Sequence, residues 1–232
     1  METKIAELQT PQAFFDINVL WDVFCRLVAG GFFVYLLIEN LMSVITFVNR
    51  YQQTHGFHFW ASVCAKSLVV VFIGLHCVLF VARRRPVRKT NGAKPRAMAL
   101  LGSFFFYLLG IPYGQPSLWQ AITGSLLLCA GTMMAVIALS RLGRSYSMMP
   151  EARKLITTGP YAIVRHPMYL SEQIAIAGIV VQNFSVYALA LFTIHFWIQV
   201  QRMKNEENVL RDTFSEYDEV MGPRPRLIPH VY

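Results

Sequence analysis

Apolar residues in this chain fall into long unbroken runs, not into strand-like alternation or heptads. The runs cover roughly residues 24–48, 60–81, 97–113 and 118–139. A polar stretch at 140–166 follows, then an apolar block from about 168 to 200 that breaks at Asn183. Crossing a bilayer core of ~30 Å takes ~20 apolar residues in a helix, and the first four runs approach or exceed that length. The first leg of the last block has about 14 residues, or ~21 Å of helix, and falls short. The pattern predicts an all-α chain: a polytopic integral-membrane bundle of about six hydrophobic helices, the last two a short hairpin. A charged, helix-prone tail over 201–221 follows on the cytoplasmic side. It is stopped by Gly222-Pro223, and the prolines at 223, 225 and 229 prevent its extension. Two regions result, an N-terminal set of transmembrane helices at 1–139 and a C-terminal region at 140–232.

Composition agrees with a membrane protein: 55% of residues are hydrophobic, 15% are charged, and the mean hydropathy is +0.42. The net charge of +8 does not indicate nucleic acid, because the basic residues are segregated by loop. Arg83, Arg84, Arg85, Arg88, Lys89, Lys94 and Arg96 occupy 82–96. Arg141, Arg144, Arg153, Lys154 and Arg165 occupy 140–166. The tail carries Arg202, Lys204, Arg211, Arg224 and Arg226, and the turns near 114–117 and 183 carry none. The positive-inside rule puts the basic loops, the tail and both termini in the cytoplasm, near anionic lipid heads. The compact chain suggests a bacterial inner membrane. Glu2, Glu7 and Asp16 argue against a signal peptide, and residues 1–18 are expected on the membrane surface. Cys25, Cys64, Cys77 and Cys129 read as packing residues, without any CxxC pair.

Chemistry concentrates in two places. Gly159-Pro-Tyr-Ala-Ile-Val-Arg-His-Pro-Met-Tyr169 sets Arg, His and two Tyr where the chain enters the last apolar block. Arg202-Met-Lys-Asn-Glu-Glu-Asn-Val-Leu210 lies at its exit. Both clusters sit at the ends of one hairpin, so they are expected to build one site at the membrane surface. Pro167 fits a first helical turn, which places His166 at the helix start. Arg202 and Glu206, four apart, share a helix face, and Glu207 points elsewhere. Taken alone, the first cluster reads equally as an interfacial anchor and the second as a solvated ion pair. Glu39 and Lys66, inside spans, are expected to neutralise each other. His76 and His195 read as hydrogen-bonded packing residues, and Met133, Met134, Met148 and Met149 as packing and not metal ligands. No metal site is expected. No GxGxxG after a strand, P-loop or HExxH occurs, so a nucleotide-like cofactor would not use a Rossmann crevice.

The runs Leu155-Ile-Thr-Thr-Gly-Pro-Tyr161, Val164-Arg-His-Pro-Met-Tyr169, Arg202-x-x-x-Glu206-Glu207-x-x-Leu210, Phe214-x-x-Tyr217 and Pro225-Arg-Leu-Ile-Pro229 resemble the isoprenylcysteine carboxyl methyltransferase family. That family belongs to a wider group of integral-membrane methyltransferases that includes phospholipid methyltransferases. The resemblance covers residues 140–232; the earlier spans match only as generic apolar helices. It implies S-adenosyl-L-methionine as cofactor, bound on the cytoplasmic side by Arg153, Lys154, Leu155, Ile156, Tyr161, His166, Pro167, Met168, Tyr169 and Glu206, with Tyr146 a weaker candidate. It places Arg202 at the substrate. Val220 stands near where many members carry a second Tyr, which puts a contribution of the tail to the substrate pocket in doubt.

Methyl transfer from a sulfonium is an in-line displacement that needs positioning above all. A carboxylate acceptor needs no base, and Arg202 would orient it, with Arg202 and His166 the candidate catalytic residues. An amine acceptor would need one, His166 or Glu207. The expected activity is therefore methylation of a lipophilic small molecule or lipidated substrate, first of an isoprenylcysteine-like carboxyl. A phospholipid N-methyltransferase is the alternative. A sterol-reductase-type enzyme and a non-catalytic transport or assembly protein are more distant ones.

Overall fold

The computed structural model describes residues 17–51, 56–90, 92–109 and 116–228. The N-terminal surface segment and Pro229 lie outside them. Seven helices follow in order: α1 (Ile17–Arg50), α2 (Phe57–Ala82), α3 (Ala93–Leu109), α4 (Leu118–Leu142), α5 (Pro167–Gln182), α6 (Val186–Arg211) and α7 (Tyr217–Met221). Among the described residues, three helical segments are long and apolar enough to cross a membrane: Gly30–Arg50, Phe57–Ala82 and Leu118–Ser145. α3 and α5 have 17 and 16 residues, about 25 Å of helix at most, below the ~30 Å core. α6 has 26 residues, but its apolar run is interrupted by His195, Gln199 and Gln201.

Local sequence explains the boundaries. Ser117 and Gln120 form a reciprocal capping box at the start of α4, and Ser185 caps α6 through the Ala188 amide. Gly143, at φ 49°, ends α4. His166 precedes Pro167, the first residue of α5. α4 and α5 share the most extensive helix interface in the molecule. Glycines let their backbones touch. A methyl group at Gly131 would meet the Ser171 carbonyl at 2.8 Å, and one at Gly178 would meet the Leu128 amide at 2.8 Å. α2 packs on both α1 and α4, and α3 packs on α6.

The chain is not wholly helical. Arg88–Lys89 (β1) pairs antiparallel with Glu151–Ala152 (β2), joining the two basic loops. Arginines reinforce that junction by donating to main-chain carbonyls: Arg144 Nε to Ala82 at 2.8 Å and Arg153 Nε to Arg84 at 2.7 Å. The loop arginines are thus partly consumed in holding loops together. Within the spans, Lys66 donates to Ser43 Oγ at 3.0 Å. Glu39 is exposed on α1, so the expected Glu39–Lys66 ion pair does not form. The two helices offer Lys66 a hydroxyl and the Phe47 ring, 5.6 Å away. His76 bonds the Phe72 carbonyl at 2.9 Å and stacks on Phe33. Cys64, Cys77 and Cys129 are free thiols.

One carboxylate fastens the C-terminal region. Glu207 on α6 is 1% exposed. His166 Nε2 lies 3.0 Å from its Oε1, Arg226 Nε 2.9 Å from the same oxygen, and Arg226 Nη2 3.0 Å from Oε2. Arg165 approaches at 3.4 Å. Backbone bonds from Arg165 to Pro225 and from His166 to Arg226 then lay the tail across the start of α5. Burial alone would push the Glu207 carboxyl up; the bonds and charges of His166 and Arg226 outweigh it and hold the group down at about 2.

Two predictions follow from this packing. Gly131→Val should lower thermal stability in detergent by ~1–3 kcal/mol or more by overpacking. Gly30→Val, with open space around it, should not; equal melting of both would contradict the packing. Because Glu207 is depressed in the folded state, its stabilisation is present above the ordinary carboxylate range and is lost as pH falls from about 4.5 toward 2. Limited proteolysis should release the tail over that window. In Glu207→Gln the release should no longer follow that pH window.

Candidate active site

Two consecutive glutamates at the end of α6 point in different directions, about 100° apart around the helix. Glu207 turns to the tail. Glu206 turns to a small polar cleft of about 10 Å³, room for about one water. Three sides of that cleft come from three helices: Pro95 and Ala99 of α3, Tyr169 of α5, and Arg202, Asn205 and Glu206 of α6. The loop Ser147–Pro150 closes the fourth. Tyr169 Oη donates to Glu206 Oε2 at 3.0 Å. The Arg202 guanidinium lies 5.2 Å from the Tyr169 ring centroid. Its Nη1 donates to Gln199 at 2.9 Å and its Nη2 reaches the Met148 carbonyl at 3.5 Å. Arg202 Nε is buried and has no hydrogen-bond partner.

Tyr161 is brought to the same place by a short 3₁₀ turn, Gly159–Ala162. Gly159 starts it at φ 65°, where a side chain would be strained and would meet Arg141 at 3.1 Å. Tyr161 Oη is also buried and unpartnered. Burial, then the charges of Glu206, Tyr169 and Glu172, push its hydroxyl well above the ordinary tyrosine range. Burial and Glu172 push Tyr146 up as well. Both phenols therefore stay protonated at neutral pH and remain available as donors.

The expected site residues divide by location. Tyr169, Arg202 and Glu206 line the cleft, with Tyr161 close enough to feel Glu206. Met168, Tyr161, Tyr146 and partly buried Ile156 pack in one apolar cluster with Leu79, Ala138 and Leu139. Pro167 begins α5, and Leu155 is half-buried beside Ile156. Arg153 is taken up by Glu151 at 2.7 Å and by the loop junction, though its Nη1 is unpartnered. Lys154 is exposed. His166 is buried against Glu207, on the far side of the adjacent glutamates from the cleft, and its ring centroid lies 5.5 Å from that of Tyr169.

Sequence reading passed over Glu172, Gln173, Gln199 and Gly102; His195 is the hydrogen-bonded packing residue it was expected to be. In the structure they form a buried polar chain. Gln199 Nε2 donates to Glu172 at 2.8 Å, and His195 Nε2 lies 3.1 Å from the Gly102 carbonyl. Gln173 Nε2 lies 3.0 Å from His195 Nδ1. The signal was available: Glu172 stands three after Tyr169, Gln199 three before Arg202, and polar groups in apolar helices are costly unless partnered. A second, apolar groove opens between α5 and α6, lined by Leu170, Gln173, Phe192, Phe196 and the tail residues Leu227 and Ile228. The tail does reach a pocket, through these two residues and not through Val220.

With this geometry in hand, comparison with known proteins is informative. Residues 119–217 match the phospholipid methyltransferase family. Protein-S-isoprenylcysteine O-methyltransferase B of Arabidopsis thaliana is 28% identical over 149 residues, 60% of this chain and 76% of that protein. The cobalt-zinc-cadmium resistance protein CzcN of Cupriavidus metallidurans is 28% identical over 131 residues, 54% of this chain and 60% of that one. The nickel-cobalt-cadmium resistance protein NccN of Alcaligenes xylosoxydans xylosoxydans is 27% identical over 82 residues, 35% and 38% respectively. The chain thus spans less than two thirds of either resistance protein. The family match takes in the Gly-x-Tyr turn, His166-Pro167-Met168-Tyr169, Arg202 and Glu206, which are the residues gathered around the cleft and its supports. Residues 119–217 are thus similar to the membrane methyltransferases that include the phospholipid and isoprenylcysteine enzymes.

Proposed function

We propose that this protein transfers a methyl group from S-adenosyl-L-methionine to a lipophilic acceptor at the cytoplasmic membrane surface. The observation that carries the reading is the meeting of Tyr169, Arg202 and Glu206 on one polar cleft at the ends of apolar helices, with the buried Tyr161 near enough to feel the Glu206 charge. The residues suit the cofactor. Glu206 supplies a carboxylate for cationic or hydroxyl groups, and Tyr161 supplies a buried donor with no partner of its own. The cleft, at about 10 Å³, has room for about one water, far below the ~300 Å³ or more of most small-molecule sites, so the side chains around it have to part for such a molecule to bind. Bound there, S-adenosylmethionine would supply an already activated methyl group. The chain's own contribution is to orient and to exclude water. Met148, Met149, Pro95 and Ala99 wall the site with apolar surface, and Glu206 holds its polar partner. His166, Arg165 and Arg226 keep the end of α6 fixed through Glu207.

The acceptor we favour is a carboxylate on an isoprenylcysteine-like lipid. Arg202 is the cleft's cation, and its Nε has no hydrogen-bond partner. Ionised at neutral pH, such an acceptor needs no base. A phospholipid amine is the second reading. Glu172 and Glu206 both lie near Arg202, and two carboxylates against one guanidinium favour a cationic headgroup. The apolar groove beside α5 and α6 supports a lipophilic acceptor in either case. Among the described residues no three His, Cys, Asp or Glu side chains gather to hold a metal ion. Six membrane helices with both ends cytoplasmic remain our topology, supported by the distribution of basic loops.

Calorimetry in detergent should show S-adenosylhomocysteine binding that Glu206→Ala abolishes; unchanged binding would overturn the cofactor assignment. Arg202→Ala should leave that binding within about threefold and cut methyl transfer to a total lipid extract at least ~100-fold; equal loss of both would remove Arg202 from the acceptor. Label transferred from a methyl-labelled donor should be released by mild base as methanol. Base-stable label would select the amine.

A further inference from the structure

The Arg202 guanidinium is held by more than its own helix. Gln199, one turn earlier on α6 and 1% exposed, presents its oxygen to Arg202 Nη1 at 2.9 Å and its nitrogen to Glu172 Oε2 on α5 at 2.8 Å. Only one orientation of the amide serves both partners, because reversal would face oxygen to carboxylate and nitrogen to guanidinium. Gln199 is therefore a directional link between an anion and a cation, and it fixes where the guanidinium lies.

The third wall comes from α3, outside the stretch that matches the methyltransferase family. A methyl group at Gly102 would fall 2.5 Å from Arg202 Cδ, 3.0 Å from its Nη1 and 3.2 Å from Gln199 Oε1. Only a residue without a side chain lets Arg202 and Gln199 lie against α3. The Gly102 carbonyl is also used. His195 Nε2 lies 3.1 Å from it and 3.2 Å from Gln199 Nε2, and His195 Nδ1 lies 3.0 Å from Gln173 Nε2. His195 thereby ties α3, α5 and α6 together directly beneath the Gln199–Arg202 pair.

We propose that Gly102, Glu172 and Gln199 are positioning residues that set the Arg202 guanidinium for the acceptor, so that α3 takes part in building the active site. The inference rests on Arg202 serving the acceptor, as argued above. It predicts residues that act on transfer while leaving the cofactor's partners, Glu206 and Tyr161, untouched.

An exchange of groups tests it. Gln199→Glu sets two carboxylates side by side, and Glu172→Gln removes the anion. The double variant Glu172→Gln/Gln199→Glu restores a donor facing an acceptor, with Arg202 still facing a carboxylate and net charge unchanged. The readouts, on full-length protein in detergent, are S-adenosylhomocysteine affinity and methyl transfer from labelled donor to a total lipid extract. Gln199→Glu and Gly102→Ala should each cut transfer at least tenfold, with affinity within about threefold of the parent. The double variant should recover transfer to within about threefold of the parent. Transfer unaffected in Gln199→Glu, a double variant no better than that single one, or affinity falling in step with transfer would each overturn the proposal. A parent chain that neither binds S-adenosylhomocysteine nor transfers methyl would instead overturn the methyltransferase reading on which it rests. Melting temperatures of the same four proteins keep the two failures apart. The seat requires the double variant to melt above Gln199→Glu whether or not any ligand binds, and additive losses would overturn it.

Discussion

The arrangement turns on burying a carboxylate at the end of an apolar helix. Glu207 cannot remain there ionised without partners, since an unpaired buried charge is strongly destabilising. His166, Arg165 and Arg226 gather around it. Those three residues come from the entrance of α5 and from the tail, so satisfying one charge brings together segments about 40 and 20 residues away along the chain. With Glu207 turned to the tail, its neighbour Glu206 lies about 100° further round α6, where Tyr169 and Arg202 meet it. The ion cluster thus fixes the rotation of α6 that presents Glu206 to the cleft.

Loop arginines extend the same logic. Arg144, Arg153, Arg165 and Arg224 donate to main-chain carbonyls of neighbouring loops, Arg224 reaching Tyr161 O at 2.6 Å. Carbonyls left open at helix ends and turns near a membrane surface need donors, and guanidinium reaches several at once. The result is a stitched polar layer over apolar helices. Beneath it, α4 and α5 close on each other through glycines, which fixes the floor on which Tyr161, Met168 and Tyr169 sit.

Much of this was readable from residue order. The helical class follows from runs of apolar residues too long for strands. The pairing of a Tyr-Arg-His-Pro cluster with an Arg-x-x-x-Glu-Glu cluster follows from their places at the two ends of one hairpin. Other features were hidden for physical reasons. That Glu206 shares a face with Arg202 follows from their spacing, but that Glu207 is buried against His166 and Arg226 depends on the path of the tail, which spacing does not specify. The Glu39–Lys66 pair failed because shared depth in a membrane says nothing about helix rotation, and Ser43 lay closer to Lys66. The β1–β2 pair, two residues long, carries no periodic signal. His195 read as hydrogen-bonded, but its partners could not be named because Gly102 and Gln173 are 93 and 22 residues away. A glycine in an apolar helix does not announce that an arginine from another helix needs its space.

Photolabelling tests the central claim most directly. The claim is that the ends of one hairpin close over a single methyl-donor site. Irradiating the detergent-solubilised protein with methyl-labelled S-adenosylmethionine and mapping the labelled peptides should place label in both the segment containing Tyr146 to Tyr169 and the segment containing Arg202 to Glu206, with excess S-adenosylhomocysteine preventing both. Label confined to α1 and α2, or label that S-adenosylhomocysteine does not displace, would contradict it.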